Sequence, residues 1–455
     1  MAEPVLIVGG GISGLSAAYY LAKSGIPSRI IERRPRLGGV IQTEYIQGCA
    51  IEAGPDSYLG IKPAAAELIR EVGMGDQIIG SNDHQRITYI WRHGKLVPLP
   101  DGLMMMVPTK IMPMVGSSLL GWGTKIRMGL EYFRRPKNGA AHDRSVAEFI
   151  TDHYGQESLE YLAEPLLSGV YGGDPKKLSA SSVLTRFVEL ETKYGSLTKG
   201  VLISRAKAPA RPSGALFQTL KGGLTSLIAE LEKRIAGQVT VVQGEAEALE
   251  RGRVRVNGEW IEGSQIVLAC PAYAAAALIG GLDPTLAALL NQVDYSSSLT
   301  LSLGFRKSDL GGNPKGFGLL VPSKERQRLV ACTWVQNKFS HRVPDDMAVL
   351  RCFFGGAADA AALDETDESL LSIARDEIKR ILKVTATPVF HTIARWPRSM
   401  AQYTVGHGAR LKEIESRIAA LGTVYLAGNA YNGIGIPDCI KTGRDAATKI
   451  AAQAG

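Results

Sequence analysis

The stretch Val5-Leu6-Ile7-Val8-Gly9-Gly10-Gly11-Ile12-Ser13-Gly14-Leu15-Ser16-Ala17-Ala18-Tyr19-Tyr20-Leu21-Ala22 decides how the chain is read. Its apolar run stops at a glycine cluster, the pattern of a strand buried on both faces of a parallel sheet. The residues after the glycines form helix readily, and that helix is expected to end near Gly25. Gly9, Gly11 and Gly14 fit G-x-G-x-x-G. The first permits a tight turn, the second lets backbone approach a pyrophosphate, and the third lets helix pack on strand. Free N–H groups at the helix start then face the phosphates. Arg29-Ile30-Ile31 reads as a second strand ending in Glu32, 18 residues after Gly14 and placed to accept hydrogen bonds from a ribose 2′-OH. Strand, glycine loop, helix and terminal acid in register predict a dinucleotide-binding unit and an α/β fold.

The rest of the composition is ordinary for a globular protein. The 455 residues suffice for roughly three domains of about 150 residues. Hydrophobic residues are 45% and charged residues 21%, which excludes disordered and fibrous classes. The net charge of +8 suits an anionic partner. Five widely spaced cysteines without a C-x-x-C pair point to a reducing compartment, and offer neither a disulfide framework nor a zinc knuckle. Met1-Ala2-Glu3-Pro4 has no basic n-region, so export is not expected. The most apolar tract, from Leu103 to Trp122, is broken by Pro108, Lys110 and Pro113 and is not expected to span a bilayer.

Past Glu32 comes Arg33-Arg34-Pro35-Arg36-Leu37-Gly38-Gly39, whose glycine pair resembles the second signature of flavoproteins of the glutathione-reductase type. Gly54-Pro55-Asp56-Ser57 forms a turn; in FAD-dependent amine-oxidase-like enzymes such a segment passes beside the flavin ring. There is a single dinucleotide fingerprint, which favours an oxidase passing electrons from substrate to flavin to dioxygen over a reductase fed by NAD(P)H. Near the C-terminus, Val424 to Asn429 reads as strand into turn, and Asn432-Gly433-Ile434-Gly435-Ile436-Pro437-Asp438 as a loop entering a helix that runs to about Ala452. The positive end of that helix suits the anionic N1–C2=O edge of a reduced flavin. Asn429, Ala430 and Tyr431 stand where covalently flavinylated amine oxidases carry a cysteine, so noncovalent FAD is expected.

Two middle tracts stand out. Gly102 to Leu130 has no acid, three bases (Lys110, Lys125, Arg127) and six of the ten methionines, which suits an apolar cavity, ordinary core or a bilayer surface. Thr192 to Ala229 also lacks acids and carries Lys193, Lys199, Arg205, Lys207, Arg211 and Lys221, a strip fit for propionates, lipid phosphates or plain solvent. Aromatic residues are too sparse there for a nucleic-acid stacking platform.

Val107-Pro108-Thr109-Lys110, Glu164-Pro165-Leu166-Leu167-Ser168-Gly169-Val170-Tyr171-Gly172-Gly173-Asp174, Arg395-Trp396, Met400 to His407, and Gly435 to Ile440 together resemble the oxygen-dependent protoporphyrinogen oxidases, above all the bacterial branch acting on coproporphyrinogen III. The resemblance runs from Val5 to about Ala447. It implies an FAD-binding Rossmann-like α/β domain of glutathione-reductase/amine-oxidase type, an α+β substrate domain and a mainly helical, membrane-associated lobe. The expected bounds are 1–75, 212–275 and 390–455 for FAD, 76–100 and 276–389 for substrate, and 101–211 for the Met-rich lobe. By position, Gly9, Gly10, Gly11, Ile12, Ser13 and Gly14 meet the pyrophosphate, and Glu32 the ribose. Gly54, Pro55, Asp56 and Ser57 lie at the flavin, and the backbone of Glu247 at the adenine half. Arg33, Gly39, Val40, Trp396, Asn429, Ile434, Gly435 and Ile436 complete the cofactor set. In place of the mitochondrial members' substrate arginine, Met104 follows Pro100-Asp101-Gly102-Leu103, so propionate anchoring comes from elsewhere.

The implied reaction removes six electrons from a porphyrinogen, coproporphyrinogen III or protoporphyrinogen IX, in three hydride transfers to flavin N5, each followed by reoxidation with dioxygen to hydrogen peroxide. No side chain is assigned as acid, base, nucleophile or metal ligand, and His407 reads as structural. The implied setting is haem biosynthesis in the cytoplasm, with peripheral contact at the inner membrane face left open and no nucleic-acid partner. An FAD-dependent amine oxidase is the alternative on the same scaffold.

Overall fold

The computed structural model describes residues 3–136, 142–207, 214–311, 315–357 and 359–454. They fall into two compact units, one from Met1–Ser81, Ala215–Tyr295 and Ala409–Gly455, the other from Asn82–Gly214 and Ser296–Gly408.

The first unit is built on five parallel strands: β1 (Val5–Val8), β2 (Ser28–Glu32), β3 (Val239–Gln243), β4 (Ile266–Leu268) and β5 (Val424–Leu426). Their order in the sheet is β3-β2-β1-β4-β5, so the chain reverses direction across the sheet beside β1. All four residues of β1 are buried, as their continuous apolar run requires. Helix α1 (Ile12–Lys23) buries Ile12, Leu15, Ala17, Ala18 and Leu21. The C-terminal helix α2 (Ile436–Ala454) packs against it unusually closely, because a Cβ on Gly443 would stand 2.1 Å from the Ser13 carbonyl oxygen. The Ser16 hydroxyl donates to the Ile440 carbonyl across the same contact.

The second unit combines a seven-stranded sheet with a helical half. Phe390–Gln402, Asp294–Arg306, Met347–Gly355, Ala331–Trp334, Gly318–Leu320, Thr88–Arg92 and Lys95–Pro98 follow one another across the sheet. The Gly318–Leu320 and Thr88–Arg92 pair is parallel. Helices Trp122–Glu131, Val146–Tyr154, Glu164–Tyr171, Thr185–Tyr194 and Leu197–Lys207 surround a core that includes Met106, Met114, Met128, Phe149 and Tyr154. No helix among the described residues is long and apolar enough to cross a membrane.

The unit bounds differ from the expected domain bounds for identifiable reasons. Residues 390–408 join the second unit because Phe390–Gln402 neighbours the Asp294–Arg306 strand in its sheet. Residues 276–295 join the first, where Asp283 caps the helix Pro284–Asn291 and ion-pairs with Arg417. Ile78–Gly80 also belongs there, paired with Phe217–Leu220. The Met-rich helices and the large sheet fall in the same compact unit.

The basic strip is no single surface. Lys193, Lys199, Arg205 and Lys207 are exposed in the second unit, Lys221 lies in the first, and Arg211 falls outside the described residues. The Glu-Pro-Leu-Leu-Ser-Gly segment is helical, following a π turn over Leu159–Ala163. Its Glu164 is buried and accepts from the Ser168 hydroxyl at 2.8 Å, the Ser323 amide at 3.0 Å and Arg326 at 3.0 Å. This carboxylate therefore joins the helix to the turn between the Gly318–Leu320 and Ala331–Trp334 strands.

Candidate functional site

Two glycine loops meet at the C-terminal ends of β1 and β2. Gly9 takes φ +109°, and a Cβ there would lie 2.7 Å from the Ala269 carbonyl oxygen, so the turn is open only to glycine. A Cβ on Gly14 would lie 1.9 Å from the Gly9 carbonyl oxygen, so the third glycine serves close packing of helix on strand. Gly11 differs from both. It has ordinary extended backbone and nothing within 4 Å of a Cβ position, so neither strain nor packing requires glycine there.

The second loop lies on the first. The Gly38 amide donates to the Gly10 carbonyl at 2.8 Å, and a Cβ on Gly39 would stand 3.2 Å from Gly11 Cα. Glu32 ties them together: its Oε2 accepts from the Gly10 amide at 2.7 Å and its Oε1 from the Arg34 amide at 2.8 Å. Next in line is Gly54, where a Cβ would be 1.9 Å from the Val40 carbonyl oxygen. The turn Gly54-Pro55-Asp56-Ser57 thus follows the glycine pair in space, with the Ser57 hydroxyl donating to Asp56 at 2.6 Å. Arg33 is at the surface, 3.7 Å from the still more exposed Glu245, a pair of little energetic weight.

Glu247 sits at a register shift between Ala246 and Ala248, where its backbone is spared from the ladder. Its side chain is engaged elsewhere, with Arg255 and the Gly258 amide. On the opposite side of β1, the turn after β5 is fastened to α2 by the Gly428 amide donating to the Thr442 hydroxyl at 3.0 Å. Gly435, just before α2, donates to Asp438 at 3.2 Å, and Lys62 pairs with Asp438 at 2.6 Å. The lysine offsets the carboxylate that would otherwise oppose an anion at this helix end. Asn429, Ile434, Gly435 and Ile436 lie along this turn, in the same unit as the glycine loops. Trp396 is buried on the strand Phe390–Gln402 of the second unit, outside the 390–455 segment's expected place in the nucleotide domain. His407 stacks face to face on Tyr403, with ring centroids 4.1 Å apart.

The model of the flavin containing amine oxidoreductases matches residues 12–451. The chain belongs to that family. A coproporphyrinogen III oxidase of Bacillus subtilis is 33% identical over 97% of this chain and 96% of its own length. One from Staphylococcus aureus is 32% identical over the full length of both. A solved structure from Exiguobacterium sp. 255-15 superposes with a TM-score of 0.88 at 29% identity, covering 100% of this chain and 99% of that one.

As a flavin oxidoreductase the enzyme takes FAD. The open space above Gly11, bordered by the Gly39 backbone, fits a pyrophosphate approached by bare backbone. Several residues that shape this cradle escaped sequence reasoning. Gln243 donates to the Glu32 and Arg34 carbonyls, and buried Glu52 accepts from the Leu224 amide and the Thr43 hydroxyl. Arg36 holds the second loop from within. In sequence these are a lone glutamine, a lone acid and one arginine of a run, with no spacing that marks them.

Among the described residues one cluster has metal-ligand proximity, Asp152, His153 and Glu191. Arg134 and Arg144 pair with its carboxylates, so it reads as a salt-bridge network of the helical half.

Proposed function

We propose that this flavin oxidase converts coproporphyrinogen III to coproporphyrin III, with dioxygen as the acceptor. The observation that carries the reading is full-length similarity to coproporphyrinogen III oxidases, joined to an intact two-loop FAD cradle. Bound FAD supplies two-electron acceptance, so a six-electron oxidation takes three rounds and yields three equivalents of hydrogen peroxide.

The chain's part is to bind and orient. The pyrophosphate lies against Gly9 to Gly14, the ribose on Glu32, and the adenine half on the bulged backbone at Glu247. Gly39, Val40 and Gly54 to Ser57 line the route to the flavin, and Asn429 with Ile434 to Ile436 presents the start of α2 to its N1 edge. Arg33 completes the set within the first unit. FAD is held noncovalently, since Asn429, Ala430 and Tyr431 stand where covalently flavinylated amine oxidases carry a cysteine. The large sheet of the second unit serves substrate, and the helical half is its lobe.

The test is direct. FAD-loaded enzyme given colourless coproporphyrinogen III is expected to produce fluorescent porphyrin with about three O2 consumed per porphyrin. Its kcat/KM should exceed that on protoporphyrinogen IX, which carries fewer propionates. No fluorescence gain with either substrate removes the reading.

The helical half also suits peripheral contact with the inner face of the cell membrane, in a cytoplasmic enzyme. Ile111, Met112, Trp122, Ile126, Leu130 and Phe133 are each at least 60% exposed, and Lys110 and Arg127 lie exposed in the same segment. Apolar side chains among cations are what an anionic bilayer surface binds. Sedimentation with anionic phospholipid vesicles is expected to pellet the wild type and to lose about tenfold in the Ile126→Glu/Phe133→Glu variant. A wild type left in the supernatant overturns the membrane reading.

A further inference from the structure

The Arg36 guanidinium is spent on the backbone of its own loop. It donates to the carbonyls of Gly39 at 2.8 Å, Ile41 at 3.1 Å and Leu37 at 3.2 Å, and to Gln42 Oε1 at 2.9 Å. Among the described residues no carboxylate pairs with it at ion-pair distance. Burial and the neighbouring Arg34 charge hold its pKa below the usual arginine value. Glu32 and Glu44 act on it only from beyond contact distance, so its hydrogen bonds all serve the shape of the loop, where a planar fork reaches several carbonyls at once.

The loop it shapes is Gly38-Gly39-Val40, which rests on Gly11. A peptide unit is planar and trans, so a carbonyl held toward Arg36 turns the next N–H the opposite way. Glycine at 39, with φ +60°, offers little resistance of its own to a flip of that peptide. Arg34 adds a longer bond to the same carbonyl, 3.3 Å.

We propose that Arg36 is a positioning residue for the cofactor: it locks the Gly39 carbonyl so that the Val40 N–H is presented to the FAD pyrophosphate. The assignment rests on the reading of the glycine loops as the FAD cradle. Arg36 itself makes no bond to the cofactor.

The test uses apoprotein of the wild type, Arg36→Met and Arg36→Lys, titrated with FAD and with ADP, the half of the cofactor that carries the pyrophosphate. Both variants are expected to bind FAD and ADP about ten- to hundredfold more weakly, the weight of one hydrogen bond to a charged group. Apoprotein Tm is expected to stay within about 2 °C of wild type, since the changed bonds lie in a half-exposed loop. Two results overturn the proposal: Arg36→Lys binding as the wild type does, which would assign the effect to charge alone, or FAD affinity falling with ADP affinity unchanged. A wild type that binds neither ligand overturns the cradle itself, and this proposal with it. Loss of porphyrinogen turnover with the binding pattern intact touches only the substrate.

Discussion

Gly11→Ala is expected to leave a folded apoprotein that binds FAD at least about a hundredfold more weakly, whereas Gly14→Ala is expected to lower the Tm of the apoprotein by about 6 °C or more. The contrast follows from where each methyl goes. At Gly11 the backbone is extended, φ −68° and ψ 178°, and nothing lies within 4 Å of the new Cβ, so the free chain accepts alanine with little loss. That space is where a pyrophosphate has to approach the backbone, and the methyl holds it off. At Gly14 the new Cβ falls 1.9 Å from the Gly9 carbonyl oxygen and 3.2 Å from an Ile7 methyl. Gly9 has no room to retreat, because its amide is tied to the Ile31 carbonyl at 2.8 Å and its other side faces Ala269. Overpacking against backbone of this kind costs about 3 kcal/mol or more. Thermal unfolding without flavin and FAD titration of the apoprotein separate the two effects. Wild-type FAD affinity in Gly11→Ala, or wild-type Tm in Gly14→Ala, would sink this division of labour.

The parts of the site legible in sequence are those built from neighbours in the chain. β1, the glycine loop, α1 and Glu32 lie within one run, and their spacing marks a strand, a glycine turn, a helix and a terminal acid that the fold brings together. The same holds for the C-terminal turn and α2, whose proline and acid mark a helix start. Contacts made across long separations were not legible. Asp283 meets Arg417, and Glu52 meets Leu224, through side chains whose types are common and whose spacing carries no period. The strand Phe390–Gln402 alternates poorly between buried and exposed residues, so no pattern announced it as part of the large sheet. The basic strip fails for a related reason: a run of charge in sequence becomes a surface only if one element carries it, and this run divides between the two units. The role of Glu164 was hidden as well, since a helix-to-turn joint and a substrate contact share the same letters in the chain.

In the helical half, Glu131→Ala is expected to destabilise the second unit by about 3 kcal/mol, the cost of leaving several buried hydrogen-bond donors without their acceptor. Glu131 ends the helix Trp122–Glu131 with its carboxylate fully enclosed. It accepts from the Ser196 hydroxyl at 2.9 Å and the Leu197 amide at 2.6 Å, at the start of the helix Leu197–Lys207, and from His153 Nδ1 at 2.8 Å. The other ring nitrogen of His153 lies 3.1 Å from Glu191, which Arg144 also holds. Removing the carboxylate leaves helix-start amides and an imidazole without their acceptor inside the protein. Burial alone would raise the pKa of Glu131, but the bonds from His153, Thr198 and the Leu197 amide outweigh it and leave the value below the ordinary 4.5. Glu191 is held low in the same way, by His153 and Arg144 against burial. Because the folded value is depressed, the contribution to stability is complete above the unfolded pKa, near pH 4.5, and drains away as pH falls through the folded value. The Tm of the wild type should therefore fall more steeply between about pH 5 and pH 3 than that of Glu131→Gln, which has no proton to take up at this position. Melting curves followed by circular dichroism across that range decide it: equal slopes in the two proteins would mean that the ionised carboxylate at 131 does not hold these helices together.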